Sequence, residues 1–455
     1  MERYRDPVHG FIGVRPWEKK IIDSAPFQRL RHIKQLAMTN LVFHGAAIYS
    51  SSISTYNWLA MTNLVFHGAE HTRFGHSLGV MHLVTKAFRM AVENGTEDYP
   101  FSQAKKDWYE QVLRLIALTH DLGHAPFSHA SEAVFPDGIE HEDFTEEIVT
   151  KTSIADYICE IGNEFKEQYG SDYDITPKLI CSIYRGIEPG KNSEFTFLKS
   201  FMDGELDCDK MDYLLRDSLY CGVNYGKYDL ERLISSLTID GKDGFPRLAI
   251  DYGGLKAFEE FVLARYFMFT EVYFHRTHRY FDIVLGKALQ SILPSGKYPE
   301  EVEEYLMWDD VRVFYECRKK ADDGDENCRS IIERYVYPCV SETPAHAEGE
   351  QLRTYNNLKK KIYRELGKDS FIEDSSADKM PHKIPVRCEV DDEKAIISFN
   401  KRMQKRVSVS EESHIIRALA NKIGIRRLYA HPDVAEEARK IVQNWYNPDE
   451  EEEEL

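Results

Sequence analysis

Residues 116–132 read IALTHDLGHAPFSHASE, and this stretch decides the fold. An apolar run at helical spacing leads into adjacent His120 and Asp121, His124 follows one turn later, and His129 comes after the proline. Imidazole nitrogens and carboxylate oxygens both suit divalent first-row metals, so adjacent His and Asp side chains can reach one ion. Glycine and proline beyond them allow the chain to bend back over the same site. The stretch therefore predicts a helix that ends at a metal centre.

A metal centre needs further ligands, and two other segments offer them. Residues 71–83, HTRFGHSLGVMHL, place His76 at the start of a helical pattern. Residues 202–217, MDGELDCDKMDYLLRD, supply several carboxylates, with Asp209 next to Lys210. A single histidine or aspartate is usually a core or surface residue. The dense cluster in residues 116–132 indicates function instead, because burying so many ionisable groups costs stability.

Composition narrows the class of protein. The chain of 455 residues is 42% hydrophobic and 12% aromatic, which is typical of a folded globular protein. A net charge of −18 disfavours general nucleic-acid binding, although a local basic pocket can still hold one nucleotide. The eight cysteines form no CxxC pair, which argues against a disulfide framework and a zinc ribbon. Without a membrane-spanning run or a signal-peptide pattern, we expect a cytoplasmic protein with no membrane partner.

Helical patterns dominate, so we expect a mostly α fold, with a helical catalytic core and a small C-terminal α+β lobe. Helices are predicted at residues 108–119 and 257–289, and a β-hairpin at 237–250. Near the C-terminus, VRCEV and KAIISFN alternate like strands, and residues 411–422 and 432–445 have helical patterns. The predicted parts are a catalytic domain (1–300), a helical extension (301–367), a linker (368–385), the small lobe (386–447) and an acidic disordered tail (448–455).

The sequence LAMTNLVFHGA occurs twice, at residues 36–46 and again at 59–69, offset by 23 residues. A repeat architecture needs at least about three copies to bury its faces, so two copies indicate a local duplication rather than a solenoid. Without residues 47–69, the first copy would run directly into EHTRFGHS. The duplication therefore lies immediately before a segment that supplies candidate ligands.

Five motifs together resemble the HD superfamily of phosphohydrolases, in particular its deoxynucleoside triphosphate (dNTP) triphosphohydrolases. They occur in that family's order and cover roughly residues 3–285. The motifs are YRDPVHGFI from Tyr4, FQRLRHIKQL from Phe27, HTRFGHSLGV from His71, HDLGHAPFSH from His120 and DCDKMDYLLRDS from Asp207. The later segment SHIIRALANKIGIRRLYAHPD resembles the small lobe of bacterial members more loosely.

The resemblance implies a role for each matching residue. The metal ligands are His76, His120, Asp121 and Asp209, for a divalent ion that can be Mn, Mg, Fe, Zn, Ni or Co. The catalytic residues are His124, His129 and His141, with Glu132 as their carboxylate partner. The substrate-binding residues are Arg73 and Lys210 at the phosphates, Gln35 and Leu36 beside the sugar, Tyr213 under the deoxyribose, Asp217 at the 3′-hydroxyl, and His275.

These roles agree with one reaction. A bound metal lowers the pKa of its water and polarises a phosphoryl oxygen, and nearby cations neutralise developing charge. A histidine, with His129 as the candidate, protonates the leaving 5′-oxygen. Attack at the α-phosphorus would release a deoxynucleoside and intact triphosphate. Control of the dNTP pool and defence against phage by dNTP depletion both fit this reaction.

Two positions depart from the family pattern in a gapless alignment. The substrate-side arginine expected in the later helix falls at Glu271, and the tyrosine expected nearby falls at Arg279. Altered phosphate contacts or base preference are therefore expected.

A regulatory site is also implied by the resemblance. Asp23, Gln28 and Arg31 match residues that bind an activating guanine nucleotide, although Arg31 can equally be a structural ion-pair partner. The lysines of a second activator site are replaced by Glu259 and Asp282. Because family members bind regulatory nucleotides between subunits, we expect a homo-oligomer, a dimer or tetramer.

Two alternative functions remain open from the sequence. One is an HD phosphodiesterase or nuclease acting on other nucleotides, and the other is a nucleotide-sensing protein without catalysis. The segment from Asp207, with its tyrosine and aspartate sugar contacts, favours a mononucleotide triphosphate substrate. The full set of metal ligands and flanking histidines argues against loss of catalysis.

Overall fold

The computed structural model describes residues 2–35, 61–95, 99–186, 194–241, 244–375, 380, 382–385, 395–400, 403 and 405–447, without the side chains of residues 129 and 130. The α-helices of these residues are α1 (Glu18–Ile22), α2 (Ala25–Arg29), α3 (Arg73–Asn94), α4 (Gln103–Thr119), α5 (His141–Lys151), α6 (Ser153–Tyr169), α7 (Pro177–Arg185), α8 (Glu194–Lys199), α9 (Cys208–Cys221), α10 (Leu230–Ser235), α11 (Leu255–Phe267), α12 (Arg276–Ile292), α13 (Val302–Leu306), α14 (Asp310–Asp322), α15 (Glu326–Ile332), α16 (Gly349–Leu366), α17 (Val409–Glu412), α18 (His414–Ala418) and α19 (Pro432–Tyr446).

The described strands form three small sheets. They are β1 (Glu2–Asp6), β2 (Gly10–Val14), β3 (Leu237–Asp240), β4 (Arg247–Asp251), β5 (Cys339–Glu342), β6 (Phe371–Ser375), β7 (Ile397–Asn400), β8 (Lys405–Ser408) and β9 (Arg426–Ala430). The orders are β1-β2, β3-β4-β7-β8 and β5-β9-β6, and every pair is antiparallel except β4 with β7. The predicted mostly α fold and the predicted hairpin are confirmed.

The predicted helix over 257–289 is two helices with a break between them. After α11, residues Met268–Tyr273 form a π-helical turn, and α12 begins at Arg276 after an extended His275. π-Helical turns arise where an extra residue is accommodated in a helix, often at functional sites. The helix predicted over 411–422 is likewise the short pair α17 and α18, which ends at Ala418.

The predicted linker and lobe boundaries are wrong in two respects. Residues 371–375, within the predicted linker, form β6 and pair with β9. The lobe also takes β5 and α16 from the predicted helical extension, and its core includes Leu358 and Ile441. In contrast, β7 pairs with β4 of the catalytic core. Sequence patterns reveal strand character but not the partner strand, which is decided by long-range packing. VRCEV and the acidic tail lie outside the described residues.

Helix α3 lies at the centre of the catalytic core and packs against α4, α9 and β3. Its approach to α9 is possible because residue 79 is glycine: a Cβ there would lie 2.0 Å from Asp212 Oδ1. Gly123 serves the same purpose beyond α4, since its Cβ would lie 2.0 Å from the carbonyl oxygen of His141. Gly79 of the HSLGV motif thus lets α3 approach α9, and Gly123 of the HDLGH motif lets the turn after α4 approach α5.

Candidate active site

Three elements position the candidate metal ligands. His76 lies in the first turn of α3, and His120 and Asp121 follow directly after the last residue of α4. Asp209 lies in the first turn of α9, whose N-terminus is capped by the Asp207 carboxylate accepting from the Lys210 N–H. Such a cap fixes where the helix begins. The ligands therefore come from the ends of helices rather than from flexible loops.

The four predicted ligands converge. One donor atom each from His76, His120 and Asp121 lie within 4.8 Å of one another, and all three residues are buried. Asp209 Oδ1 lies 2.8 Å from His76 Nε2 and 3.8 Å from His120 Nε2. His76 Nε2 is 3.7 Å from Asp121 Oδ2. Nitrogen and carboxylate donors gathered on one point can share a divalent ion.

The hydrogen bonding of His120 supports this use. Its Nδ1 donates to the carbonyl oxygen of Ala117 at 2.8 Å, which leaves Nε2 with the lone pair that a metal needs. That Nε2 is buried and has no hydrogen-bond partner among the described residues. A buried polar atom without a partner is costly unless a ligand satisfies it. The residues present therefore fit a divalent metal ion.

The His76 ring nitrogen that points away from the other candidate ligands, Nδ1, contacts a carboxylate that was not predicted from the sequence. This Nδ1 donates to Asp212 Oδ2 at 2.8 Å, and Asp212 also binds His9 Nε2 at 2.6 Å and the Arg216 guanidinium. Asp6 accepts from the same arginine, so the RDPVHG turn anchors this group. The RDPVHG motif could have indicated this group, because its charged residues had been given no partner in the sequence.

Buried charges shift the pKa values of these ligands. Burial alone lowers the pKa of His76, but hydrogen bonds to Asp209 and Asp212 outweigh it and raise it to about 10. Burial alone raises the pKa of Asp121, but the charges of Arg73 and His120 bring it well below its usual value. The Arg73 Nη1–Asp121 Oδ2 distance is 2.6 Å. The carboxylates are thus kept in the ionised form that binds metal.

His124 and His141 form a second group beside the ligands. Their rings stack with centroids 4.1 Å apart and planes inclined by 16°. His141 Nδ1 lies 3.0 Å from Glu132 Oε1, and His124 Nε2 lies 3.2 Å from Asp121 Oδ1. Imidazole binds a metal in its ring plane, so two stacked, near-parallel rings do not converge on one ion. This group suits contact with an anion better than a second metal.

The two stacked histidines differ in protonation. Burial, together with the charge of Arg73, lowers the pKa of His124 well below its usual value. Burial also opposes charge on His141, but Glu142 and Glu132 overcome it and raise its pKa to about 9. Near neutral pH one ring is therefore neutral and its neighbour is protonated. Paired groups with opposite shifts can divide acid and base roles.

Further along α9, the Asp217 carboxylate lies near two tyrosine side chains, Tyr213 and Tyr273. Asp209, Tyr213 and Asp217 follow one another at spacings of four residues and share one face of the helix. Asp217 accepts from Tyr273 Oη at 2.7 Å and from His71 Nε2 at 2.8 Å. The buried Tyr213 hydroxyl has no hydrogen-bond partner in the described part of the chain.

Arg265 on α11 is the second residue that the sequence analysis missed. It is buried, and its Nη1 binds Glu205 Oε2 at 3.1 Å, while its Nε and Nη2 have no hydrogen-bond partner within the described ranges. The charges of Tyr213 and Asp207 are among the causes that raise its pKa against burial. Lys210, predicted at the phosphates, is ion-paired with Asp207.

The structure corrects the register of the gapless alignment. Glu271 is exposed, and Arg279 is buried in an ion pair with Asp374 of β6 at 2.7 Å. An arginine and a tyrosine do face the α9 carboxylates, but they are Arg265 and Tyr273, each six residues earlier. Arg265 and Tyr273 are eight residues apart, as Glu271 and Arg279 are, so the whole segment was offset by six residues in the gapless alignment. Hydrophobic spacing alone does not reveal such an offset.

The structure describes some of the remaining predicted substrate residues and not others. Gln35 is buried, its backbone N–H donates to the carbonyl oxygen of His71 at 3.0 Å, and its Oε1 has no partner among residues that the structure describes. His275 contacts Phe66 of the second duplicated copy edge to face, with centroids 6.1 Å apart. Leu36 and the His129 side chain lie outside the described residues.

The predicted regulatory residues lie on and around α2. Arg31 Nε donates to Gln28 Oε1 at 2.8 Å, and the guanidinium lies 3.5 Å from the centroid of the Phe74 ring. Gln28 in turn donates to the carbonyl oxygen of Ile22 at 2.7 Å. Asp23 is exposed after α1. Glu259, at a position of the second activator site, accepts from Ser413 Oγ at 2.6 Å.

Comparisons with known proteins agree with this geometry. Residues 73–181 match the HD domain, and residues 228–440 match the HD associated region. The chain therefore belongs to the HD-domain family of metal-dependent phosphohydrolases.

Individual relatives span much of the chain. It is 29% identical over 449 residues to the uncharacterized protein YwfO of Bacillus subtilis, covering 92% of this chain and 89% of that one. It is 25% identical over 422 residues to the deoxynucleoside triphosphate triphosphohydrolase SAMHD1 of Gallus gallus, covering 86% of this chain and 62% of that enzyme. A crystal structure of a hypothetical protein from Aquifex aeolicus superposes with a TM-score of 0.73 at 27% identity, over 97% of this chain and 99% of that one.

Within the described ranges, no helix has the length and apolar character needed to cross a membrane.

Proposed function

We propose that this protein hydrolyses dNTPs to a deoxynucleoside and triphosphate in the cytoplasm. The observation that carries the proposal is the face of α9, where Asp209, Tyr213 and Asp217 follow one another. This face joins a metal ligand to an aromatic ring and a hydrogen-bonding carboxylate, which suits a sugar joined to a phosphate. The named activity of SAMHD1 from Gallus gallus supports the same substrate class.

In this proposal each group has a separate task. A divalent ion held by His76, His120, Asp121 and Asp209 would supply Lewis-acid polarisation and a water of lowered pKa. Arg73, Lys210 and Arg265 bind the phosphates, since the open N–H groups of Arg265 suit phosphate oxygens. The protonated His141, stacked on His124, stabilises the anion. A histidine, with His129 as the candidate, donates a proton to the leaving oxygen. Glu132 holds His141 in place.

Product analysis tests the reaction. The purified protein, supplied with Mn²⁺ or Mg²⁺, is incubated with each dNTP, and nucleosides and phosphates are separated by ion-exchange chromatography. We expect deoxynucleoside and triphosphate in equal amounts, and no activity in His120→Ala or Asp209→Ala, which should also lose bound metal. Full metal content and turnover in Asp209→Ala would remove that residue from the ligand set. Monophosphate with pyrophosphate as products, or cleavage of cyclic nucleotides alone, would favour the phosphodiesterase alternative.

Sugar selection is part of the proposal. Tyr213, with Tyr273 at a ring distance of 6.4 Å, walls the space beside Asp217. A ring under C2′ leaves no room for a 2′-hydroxyl, and Asp217 accepts from the 3′-hydroxyl. The protein should therefore hydrolyse dGTP faster than GTP. Equal rates on the two nucleotides would contradict this assignment and favour a more general nucleotidase.

Activation by a guanine nucleotide at Asp23, Gln28 and Arg31, within a homodimer or homotetramer, is a further part of this proposal. Activation requires that the nucleotide bind the active arrangement more tightly. GTP or dGTP is titrated against hydrolysis of a second dNTP, in wild type and in Arg31→Ala, with the mass followed by light scattering. A wild-type rate that responds to neither nucleotide would exclude this regulatory site. Loss of stability alone in Arg31→Ala would mark a structural residue.

A further inference from the structure

Asp310, the first residue of α14, reaches back into the catalytic core. Its Oδ1 accepts from the backbone N–H of Phe127 at 2.8 Å, and its Oδ2 accepts from the backbone N–H of Lys34 at 3.0 Å. The residue is 4% exposed. Both carboxylate oxygens are thus directed at chain segments that are far away in the sequence and that border the candidate active site.

The first of these segments has an unfavourable backbone conformation. Phe127 and Ser128 have φ angles of 56° and 57°, in the left-handed region that side chains other than glycine disfavour. Such a conformation persists only where surrounding contacts enforce it, and it is often found at functional sites. The hydrogen bond from Phe127 to Asp310 is one such contact.

A continuous set of contacts leads from this turn to the metal ligands. Ser128 Oγ donates to the carbonyl oxygen of Lys34 at 3.2 Å and accepts from Arg73 Nε at 2.7 Å. Arg73 Nη1 lies 2.6 Å from Asp121 Oδ2. Ser128 and Arg73 are fully buried, so neither contact is exchanged for water. The place of the Arg73 guanidinium therefore depends on the Phe127–Ser128 turn.

We propose that Asp310 is a positioning residue of the active site, which fixes the Phe127–Ser128 turn and thereby holds Arg73 where it binds the substrate phosphates. The role of Arg73 at the phosphates rests on the proposed function. The carboxylate is suited to this task because it accepts two backbone N–H groups at once, whereas an amide offers one acceptor atom. Burial raises the pKa of Asp310 to about 7, while the two backbone hydrogen bonds favour its ionised form, so a carboxylate here costs more than a purely space-filling residue would.

The test compares Asp310→Asn with Asp309→Asn. The neighbouring Asp309 carboxylate caps α14 by accepting from the Arg312 N–H at 2.8 Å, and asparagine caps a helix equally well. Both variants remove one negative charge and keep the side-chain shape. The measurements on metal-loaded protein are kcat and KM for dNTP hydrolysis, the affinity for inorganic triphosphate by calorimetry, metal content, and hydrogen exchange at the amides of residues 34 and 127.

We expect Asp310→Asn to raise KM and the dissociation constant of triphosphate about tenfold, as for one lost hydrogen bond, with normal metal content and faster exchange at one of the two amides. Asp309→Asn should stay within about twofold of wild type. A fall in kcat alone, in proportion to the folded fraction, would overturn the proposal, as would wild-type exchange and triphosphate affinity. If wild type hydrolyses no dNTP, the proposed function fails, while triphosphate affinity and amide exchange still decide the role of Asp310.

Discussion

Asp212 Oδ2 lies 2.8 Å from His76 Nδ1, on the opposite side of the imidazole from the metal-facing Nε2. The same carboxylate binds His9 and Arg216, so it is held in one position and cannot turn to the metal itself. A carboxylate that orients a ligating histidine in this way fixes its tautomer and increases its basicity. The segment from Asp207 therefore supplies one candidate ligand, Asp209, and, one turn later, the carboxylate that orients another, His76.

Asp212→Asn should weaken metal binding without unfolding the protein. An amide has no charge to stabilise the Nδ1 proton, so we expect a loss of about 10- to 100-fold in metal affinity, as for other supporting carboxylates. Metal affinity is measured by competition with a chelating dye, and folding by circular dichroism. Asp229→Asn, at the exposed cap of α10, serves as the control. Unchanged affinity in Asp212→Asn would show that the Asp212 contact does not support the metal site.

Gly79→Ala should destabilise the catalytic core, because the new Cβ would lie 2.0 Å from Asp212 Oδ1 and 2.5 Å from Arg216 Nη2. Overpacking of this kind costs about 1–3 kcal/mol, although alanine is the better helix former. The matched control is Gly75→Ala on the same helix, where the nearest atom is Arg216 Nη1 at 3.3 Å. Chemical denaturation measures both variants. Equal free energies of unfolding for Gly79→Ala and Gly75→Ala would mean that α3 and α9 can move apart without loss of stability.

His278 should make stability fall in mild acid. It is buried on α12, its Nε2 lies 2.8 Å from Thr62 Oγ1, and burial lowers its pKa to about 3. Because the folded pKa lies below the unfolded value of about 6.5, the stabilisation is present above pH 6.5 and is lost as the pH falls towards 3. Between pH 6.5 and 5 the loss amounts to about 2 kcal/mol.

The variant His278→Gln isolates this contribution. Its free energy of unfolding, measured in urea from pH 5 to 7.5, should depend less on pH than that of wild type. The exposed His414 provides a matched control, since His414→Gln should retain the wild-type dependence. An identical pH dependence in His278→Gln and wild type would contradict a neutral buried ring.

Tyr273→Phe should weaken substrate binding at the sugar end. The variant removes the hydroxyl that donates to Asp217 Oδ2 at 2.7 Å but keeps the ring. We expect KM for dNTPs to rise about tenfold and selectivity over NTPs to fall, since Asp217 loses one of its two fixed donors. Tyr335→Phe, at an exposed ring, is the control. Unchanged KM and selectivity would place the sugar elsewhere.

By itself the sequence determined the class of fold and the candidate metal ligands. The candidate ligands and their motifs are local features: His120 and Asp121 are adjacent at the end of a helical pattern, and α4, α9 and the β3–β4 hairpin carry their own capping and turn residues. The proposed roles of the flanking histidines also came from motif order, and the contacts between His141 and Glu132 agree with them.

Only the tertiary structure decided which residues complete the site. Arg265 and Tyr273 could not be placed because the gapless alignment was offset by six residues over this segment, and hydrophobic spacing does not reveal such an offset. Asp212, Asp310 and the pairing of β6 with β9 act across long separations in the chain. Their partners are chosen by packing and by the need to satisfy buried polar groups, which depend on the whole fold rather than on neighbouring residues.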